Sequence, residues 1–253
     1  MSFVRPLDAT GAHSERHGED RADMVNPALT EPGEPKSARS SATPPKPRLA
    51  AIATFATTEA DGVVAAAAMP SEACVATPLV PIPLVAGEIA FADVERCVAA
   101  GAQAALLRGV RTGADVGHLA ALLAVAEARL GCADGATRIV AEITTAHGLL
   151  ELRGLACATP RLAGLAWDAD ALRADLGATS VRAADGRLIP PLAQARSLVL
   201  IAAAAAGVPA VDTSSAEDGE GFRQECVEAL RDGFTAKLVT TAEQLRIVRE
   251  TAV

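Results

Sequence analysis

The chain has 253 residues, half of them apolar, which is enough to bury a substantial core. A net charge of −8 with no basic stripe excludes a nucleic-acid partner, because nothing clusters to displace counterions from phosphates. With five Phe, one Trp and no Tyr, the interior must be filled by Ala, Leu and Val, which favours closely approaching helices and strands.

Residues 1–49 stand apart. They hold Pro6, Pro27, Pro32, Pro35, Pro44, Pro45 and Pro47 among frequent Ser, Glu, Asp and Arg, with no apolar period, and read as a disordered leader. The domain then runs over 50–253. RLAAIATFATTEADGVVAAAAMP gives one or two short apolar runs with a turn at Asp61-Gly62. ACVATPLVPIPLV is interrupted by Pro78, Pro81 and Pro83, which points to an edge strand or extended loop.

From Ala92 the pattern is regular. FADVERCVAAG puts Val94, Cys97 and Val98 on one helical face and stops at Gly101. AQAALLRGV reads as a buried strand. ADVGHLAALLAVAEARLG places Val116, Leu119, Leu123, Ala126 and Leu130 at helical spacing, with Asp115, Glu127 and Arg129 off that face. TRIVAEIT (strand), LLELRGLACATP (helix), RLAGLAW (strand) and ADALRADLG (helix) follow. PLAQARSLVLIAAAAAG is a helix, VPAVDT a strand and GEGFRQECVEALRDG a helix with Phe222, Cys226 and Leu230 stacked. FTAKLV is the last strand and TTAEQLRIVRE the last helix, opened by a Thr240 or Thr241 capping box. The run SLVLIAAAAAGVPAV, bounded by Arg196 and a Gly-Val-Pro break, is a buried helix and strand, so no membrane partner is expected.

Cys74, Cys97, Cys132, Cys157 and Cys226 lack CxxC spacing and read as reduced, mostly buried thiols of a cytoplasmic protein without a signal peptide. The strand–helix alternation is that of parallel βα units, hence α/β. An open doubly wound sheet and a (β/α)8 barrel both fit, and no GxGxxG or GxxxxGK[ST] follows a strand.

Five segments, in order, narrow the choice. AAGAQAALLRGVRTGADVGHL, AEITTAHG, LAGLAWDADALRADLG, GVPAVDT and GFTAKLVTTAEQL resemble the citrate lyase β-subunit-like branch of the HpcH/HpaI aldolase family over roughly residues 92–250. The resemblance implies a TIM-type (β/α)8 barrel, Mg²⁺ as cofactor, and C–C bond chemistry on small-molecule carboxylates or acyl-CoA thioesters such as citryl- or malyl-CoA. It also implies a homo-oligomer, trimer or hexamer. The family's opening motifs are missing between Arg48 and Ala92, a stretch too short for three βα units of about 30 residues each. The N-terminal βα units are therefore expected to be shortened or incomplete.

The family's two metal-binding carboxylates fall on Thr144 and Ala171, which offer a neutral hydroxyl and a methyl where Mg²⁺ wants carboxylate oxygens. The family's Lys of Leu-Pro-Lys falls on Gly109. No metal is therefore expected, with Glu142, Asp168 and Asp170 as fallback ligands. Glu142 shares a strand face with Thr144 but lies about 6.6 Å deeper, and its bland reading is an interior Glu paired with Arg108 or Arg111. Asp168 and Asp170 equally suit a helix N-terminus. Lys237, Asp212 and His147 are the catalytic candidates, although Lys237 bonded to Asp212 and a solvated loop His147 account for them as well. Arg108, Thr144 and Trp167 are the substrate-binding candidates. Cys157 and Cys226 suit packing. The expectation is a citrate lyase β-like protein of the C–C lyase/aldolase family, weakly active or non-catalytic, with an active Mg-dependent lyase using relocated ligands as the alternative.

Overall fold

Buried apolar strands followed by amphipathic helices must stack their strands side by side in parallel, and the chain does so. The computed structural model describes residues 50–53, 55–56, 63–64, 79–213 and 219–251, all C-terminal to a division of the chain at Pro44. The leader and the Asp61-Gly62 turn lie outside the described residues. The strands are β1 (Ala50–Ala53), β2 (Phe55–Ala56), β3 (Val63–Val64), β4 (Leu79–Val85), β5 (Glu88–Ile89), β6 (Ala104–Arg108), β7 (Arg138–Ile143), β8 (Leu162–Trp167), β9 (Ala210–Asp212) and β10 (Ala236–Val239). The helices are α1 (Phe91–Ala99), α2 (Gly113–Leu130), α3 (Ala146–Leu150), α4 (Leu152–Ala156), α5 (Ala169–Asp175), α6 (Pro190–Ala206), α7 (Gly219–Asp232) and α8 (Ala242–Thr251).

The main sheet has the order β1-β10-β9-β8-β7-β6-β4-β5, and β2 pairs with β3 in a separate antiparallel ribbon. From β4 onward each parallel strand lies beside its predecessor, and β1, first in the chain, lies beside β10, the last. A doubly wound sheet reverses at a switch point, and this one does not. Side chains alternate between two apolar clusters. Ala105, Leu107, Ile139, Ala141, Ile143 and Leu165 face the helices. Leu79, Ala104, Leu106, Val140, Ala166, Val211, Ala236 and Leu238 fill the opposite face. The sheet curls into a half-barrel, and these Ala, Val and Leu side chains fill its concave face. Among the described residues no pairing joins β1 to β4.

β4 is a paired strand despite its prolines, in register with β6 from Leu79↔Ala104 to Pro83↔Arg108. Pro81 and Pro83, two residues apart, remove donors from one side of the strand only, so the ladder to β6 stands.

Three local expectations need amending. In α2, opened by a Thr112–Asp115 capping box, Leu130 is exposed and Glu127 is buried. Glu127 accepts hydrogen bonds from the backbone N–H groups of Gly135 (3.0 Å) and Thr137 (2.7 Å) and an ion pair from Arg161 (2.8 Å), so its burial is fully compensated. The expected helix LLELRGLACATP begins earlier and breaks at Glu151 into α3 and α4. Among the described cysteines, all free, Cys97 and Cys226 are buried, whereas Cys132 and Cys157 are exposed at helix ends.

Candidate functional site

Parity along the strands decides what reaches the concave face. Leu106, Val140 and Ala166 point inward, so residues two further on, Arg108, Glu142 and Asp168, emerge from that face at the C-terminal ends of three adjacent strands. They meet there. Arg108 Nε donates to Glu142 Oε2 at 2.6 Å, and Arg108 Nη2 donates to Asp168 Oδ2 at 2.8 Å. Arg108 and Glu142 are direct cross-strand partners, and Asp168 follows the last residue of β8.

Asp168 is anchored independently of the guanidinium, whereas the Glu142 carboxylate is held by Arg108. Asp168 is the N-cap of α5, where its Oδ1 accepts from Ala171 N–H at 3.0 Å. Thr213 Oγ1, two residues beyond the inward Val211, accepts from Ala169 N–H at 3.0 Å. Glu142 sits between neighbouring strands with its side chain 3 % exposed, against 14 % for Asp168 and 47 % for Arg108. Burial raises the Glu142 carboxyl above the ordinary glutamate range; Arg108 opposes the shift and Asp168 adds to it. Burial works against the Arg108 cation, but the two carboxylates outweigh it and raise its pKa. Arg108 Nη1 donates to nothing among the described residues, and the side chain as a whole is half-exposed.

The remaining candidates divide by the same parity. Trp167, Asp212 and Lys237 alternate with Ala166, Val211 and Leu238, so they face the helices, away from the concave side. There they form a buried network. Asp212 accepts from Trp167 Nε1 at 2.9 Å and Arg196 Nε at 3.1 Å, and lies 3.4 Å from Lys237 Nζ. Lys237, 1 % exposed, also donates to the Thr213 carbonyl at 3.0 Å and pairs with Glu225 at 3.2 Å. Burial pushes the Asp212 pKa up, and Lys237, Arg196 and the indole N–H together bring it below the ordinary aspartate value. Arg196 reaches on to Asp232 at 2.5 Å. Sequence reading missed Arg196, whose signal was available: it is the lone charge in PPLAQARSLVLIAAAAA, and a lone charge on an apolar helix needs a partner.

Thr144 lies two residues past Glu142 and is half-buried; His147 is exposed in the first turn of α3. Asp170 points outward, 76 % exposed, 3.7 Å from Arg173. Cys226 is buried against α7's neighbours, which pushes its thiol to about 11, the state of a packing residue. Gly109 adopts φ 85°, and a Cβ there would lie 3.3 Å from the Leu84 carbonyl oxygen, so a lysine at this place would be strained.

The donor set does not suit magnesium. Thr144 and Ala171 offer only a hydroxyl and a methyl, and the described residues contain no group of three His, Cys, Asp or Glu able to hold a metal. The two carboxylates that do converge already neutralise one internal cation.

Residues 51–242 match the HpcH/HpaI aldolase/citrate lyase family. The chain is 32% identical over 160 residues to the citrate lyase subunit beta of Leuconostoc mesenteroides subsp. cremoris, covering 62% of this chain and 51% of that protein. It thus spans about half the length of that relative. It is similar to the crystal structure of CitE from Mycobacterium tuberculosis in complex with magnesium and acetoacetate, with TM-score 0.59 and 26% identity over 69% of this chain and 67% of that one. A complex of the same protein with magnesium, acetoacetate and coenzyme A gives TM-score 0.57 and 27% identity over 69% and 60%.

Proposed function

The chain belongs to the HpcH/HpaI aldolase/citrate lyase family, and we propose that within it this protein binds a small carboxylate or acyl-CoA at the strand C-termini without magnesium-driven C–C cleavage. One observation carries the reading: Arg108, whose side chain is half-exposed, is braced by Glu142 through Nε and by Asp168 through Nη2, which leaves Nη1 without a partner among the described residues. A guanidinium with free N–H groups suits a carboxylate ligand. Relatives that hold acetoacetate and coenzyme A lend the ligand class. Without a divalent ion the site lacks the strongest means of stabilising an enolate, which costs several kcal/mol of transition-state binding. We take the fold as a TIM-type barrel with a shortened N-terminal half, working as a cytoplasmic homo-oligomer.

The test is calorimetric titration of acetoacetate into chelator-treated protein, alongside a malyl-CoA and citryl-CoA cleavage assay with magnesium. Binding that Arg108→Met abolishes, with no cleavage, supports the reading. Magnesium-dependent cleavage overturns it and favours the second reading, an active lyase with relocated ligands. That alternative draws on the convergence of Glu142 and Asp168 on a single point.

A further inference from the structure

Building on the metal-independent reading above, we propose that Arg108 is a tethered counter-cation for Glu142 and Asp168, and that removing it opens a cation site made of these two acids. The guanidinium bridges two carboxylates from different strands at 2.6 and 2.8 Å, which is how an ion would hold them.

Both acids are placed by the backbone at adjacent strand ends, and Asp168 is also held by a bond that does not involve Arg108. Asp168 commits Oδ1 to the Ala171 N–H, which leaves Oδ2 directed at the shared point. Its backbone is held in turn by the bond from Ala169 N–H to Thr213 Oγ1. The Glu142 backbone is fixed in the middle of the sheet and its side chain is 3 % exposed, so the carboxylate is largely cut off from bulk water. Take the guanidinium away, and two carboxylates face each other with the buried one unpaired. Only two events relieve that: capture of a cation or uptake of a proton by Glu142. The space that Arg108 vacates is half open to solvent, so an ion can arrive with waters attached. Magnesium and manganese are commonly held by one or two carboxylates with water completing the shell. Thr144, next outward on the same strand face, adds a neutral oxygen near the opening.

The test is binding of Mn²⁺ followed by the electron-spin resonance signal of the free ion, with no substrate present. Full-length wild type, Arg108→Ala, Arg108→Gln, Arg108→Lys and the double variant Arg108→Ala/Glu142→Gln are compared. Arg108→Ala and Arg108→Gln should bind one Mn²⁺ per chain on the order of tenfold or more tighter than wild type. Arg108→Lys, which keeps a tethered charge, and the double variant should not. If Arg108→Ala fails to fold, Arg108→Gln, of similar length, carries the comparison. Folded Arg108→Ala and Arg108→Gln that bind no better than wild type mean that Glu142 takes a proton instead, and the proposal falls. Tight Mn²⁺ binding to wild type that Glu142→Gln abolishes also overturns it, together with the metal-independent reading. Failure of wild type to bind acetoacetate, with Mn²⁺ bound by Arg108→Ala, removes that reading and leaves the tethered cation standing.

Discussion

Replacing Arg108 by Met keeps the aliphatic stem and deletes the guanidinium. Glu142 is then left 3 % exposed with its cation gone, and Asp168 faces it across the vacated point. Breaking a fully buried pair by removing one member costs about 3–5 kcal/mol, whereas exposed pairs are worth about 0–1 kcal/mol. Arg108 is 47 % exposed, so water screens part of its attraction, while the acid left behind is buried. The loss should therefore fall between these limits, at about 2 kcal/mol near pH 8. Glu142 already has a raised pKa in the folded protein, and losing Arg108 raises it further. A carboxyl raised in this way binds more protons folded than unfolded. Its contribution is complete below the unfolded pKa and is lost as pH rises through the folded one. The destabilisation by Arg108→Met should accordingly shrink to about 1 kcal/mol or less near pH 5. Glu142→Gln behaves differently. It leaves a half-exposed guanidinium still bonded to Asp168, so about 1 kcal/mol is expected. Gln does not titrate, while the raised Glu142 of the wild type loses its contribution as pH rises, so this loss should shrink toward alkaline pH, opposite to the trend of Arg108→Met. Urea unfolding of both variants across this pH range measures the difference. Equal, pH-independent losses would refute the reasoning.

Glu127→Gln breaks the ion pair to Arg161 and should cost about 3 kcal/mol in urea unfolding near neutral pH. Although burial opposes it, Arg161 and the amides of Thr137 and Gly135 hold the Glu127 carboxyl below its usual range. Its stabilisation is present above the unfolded pKa and lost as acid carries the pH through the lower folded one, and the variant should lack that part of the acid transition. Gly148→Ala would put a Cβ 2.4 Å from the Val110 carbonyl oxygen, and overpacking of this kind should lower stability by about 2 kcal/mol in thermal unfolding. Trp167→Phe removes the indole donor to Asp212 and should cost about 1–3 kcal/mol in urea unfolding, while calorimetric binding of acetoacetate stays unchanged because the ring faces the helices.

The elements from Ala92 onward were legible because their apolar periods are long and punctuated by Gly101, Gly207 and Gly233. Their parallel order followed from the alternation. The faces were harder. In a parallel sheet covered on both sides, both alternations are apolar, so AKLV shows that Lys237 and Leu238 differ in direction without showing which one is concave. The opposite side for Lys237, Asp212 and Trp167 emerged only from the folded packing. Glu127 looked like a solvent residue because its partner Arg161 lies 34 positions away, beyond any local pattern. The pairing of Glu142 with Arg108 was readable, since consecutive parallel strands place their ends together. The convergence of Asp168 on the same guanidinium was not, because it depends on how α5 starts.

The most direct measurement is a crystal structure of the wild-type protein grown with magnesium and acetoacetate. The account predicts Arg108 in hydrogen-bond contact with Glu142 and Asp168, and the ligand carboxylate on the outer edge of its guanidinium. An octahedral magnesium bound by Glu142 and Asp168, with Arg108 swung away, would contradict it.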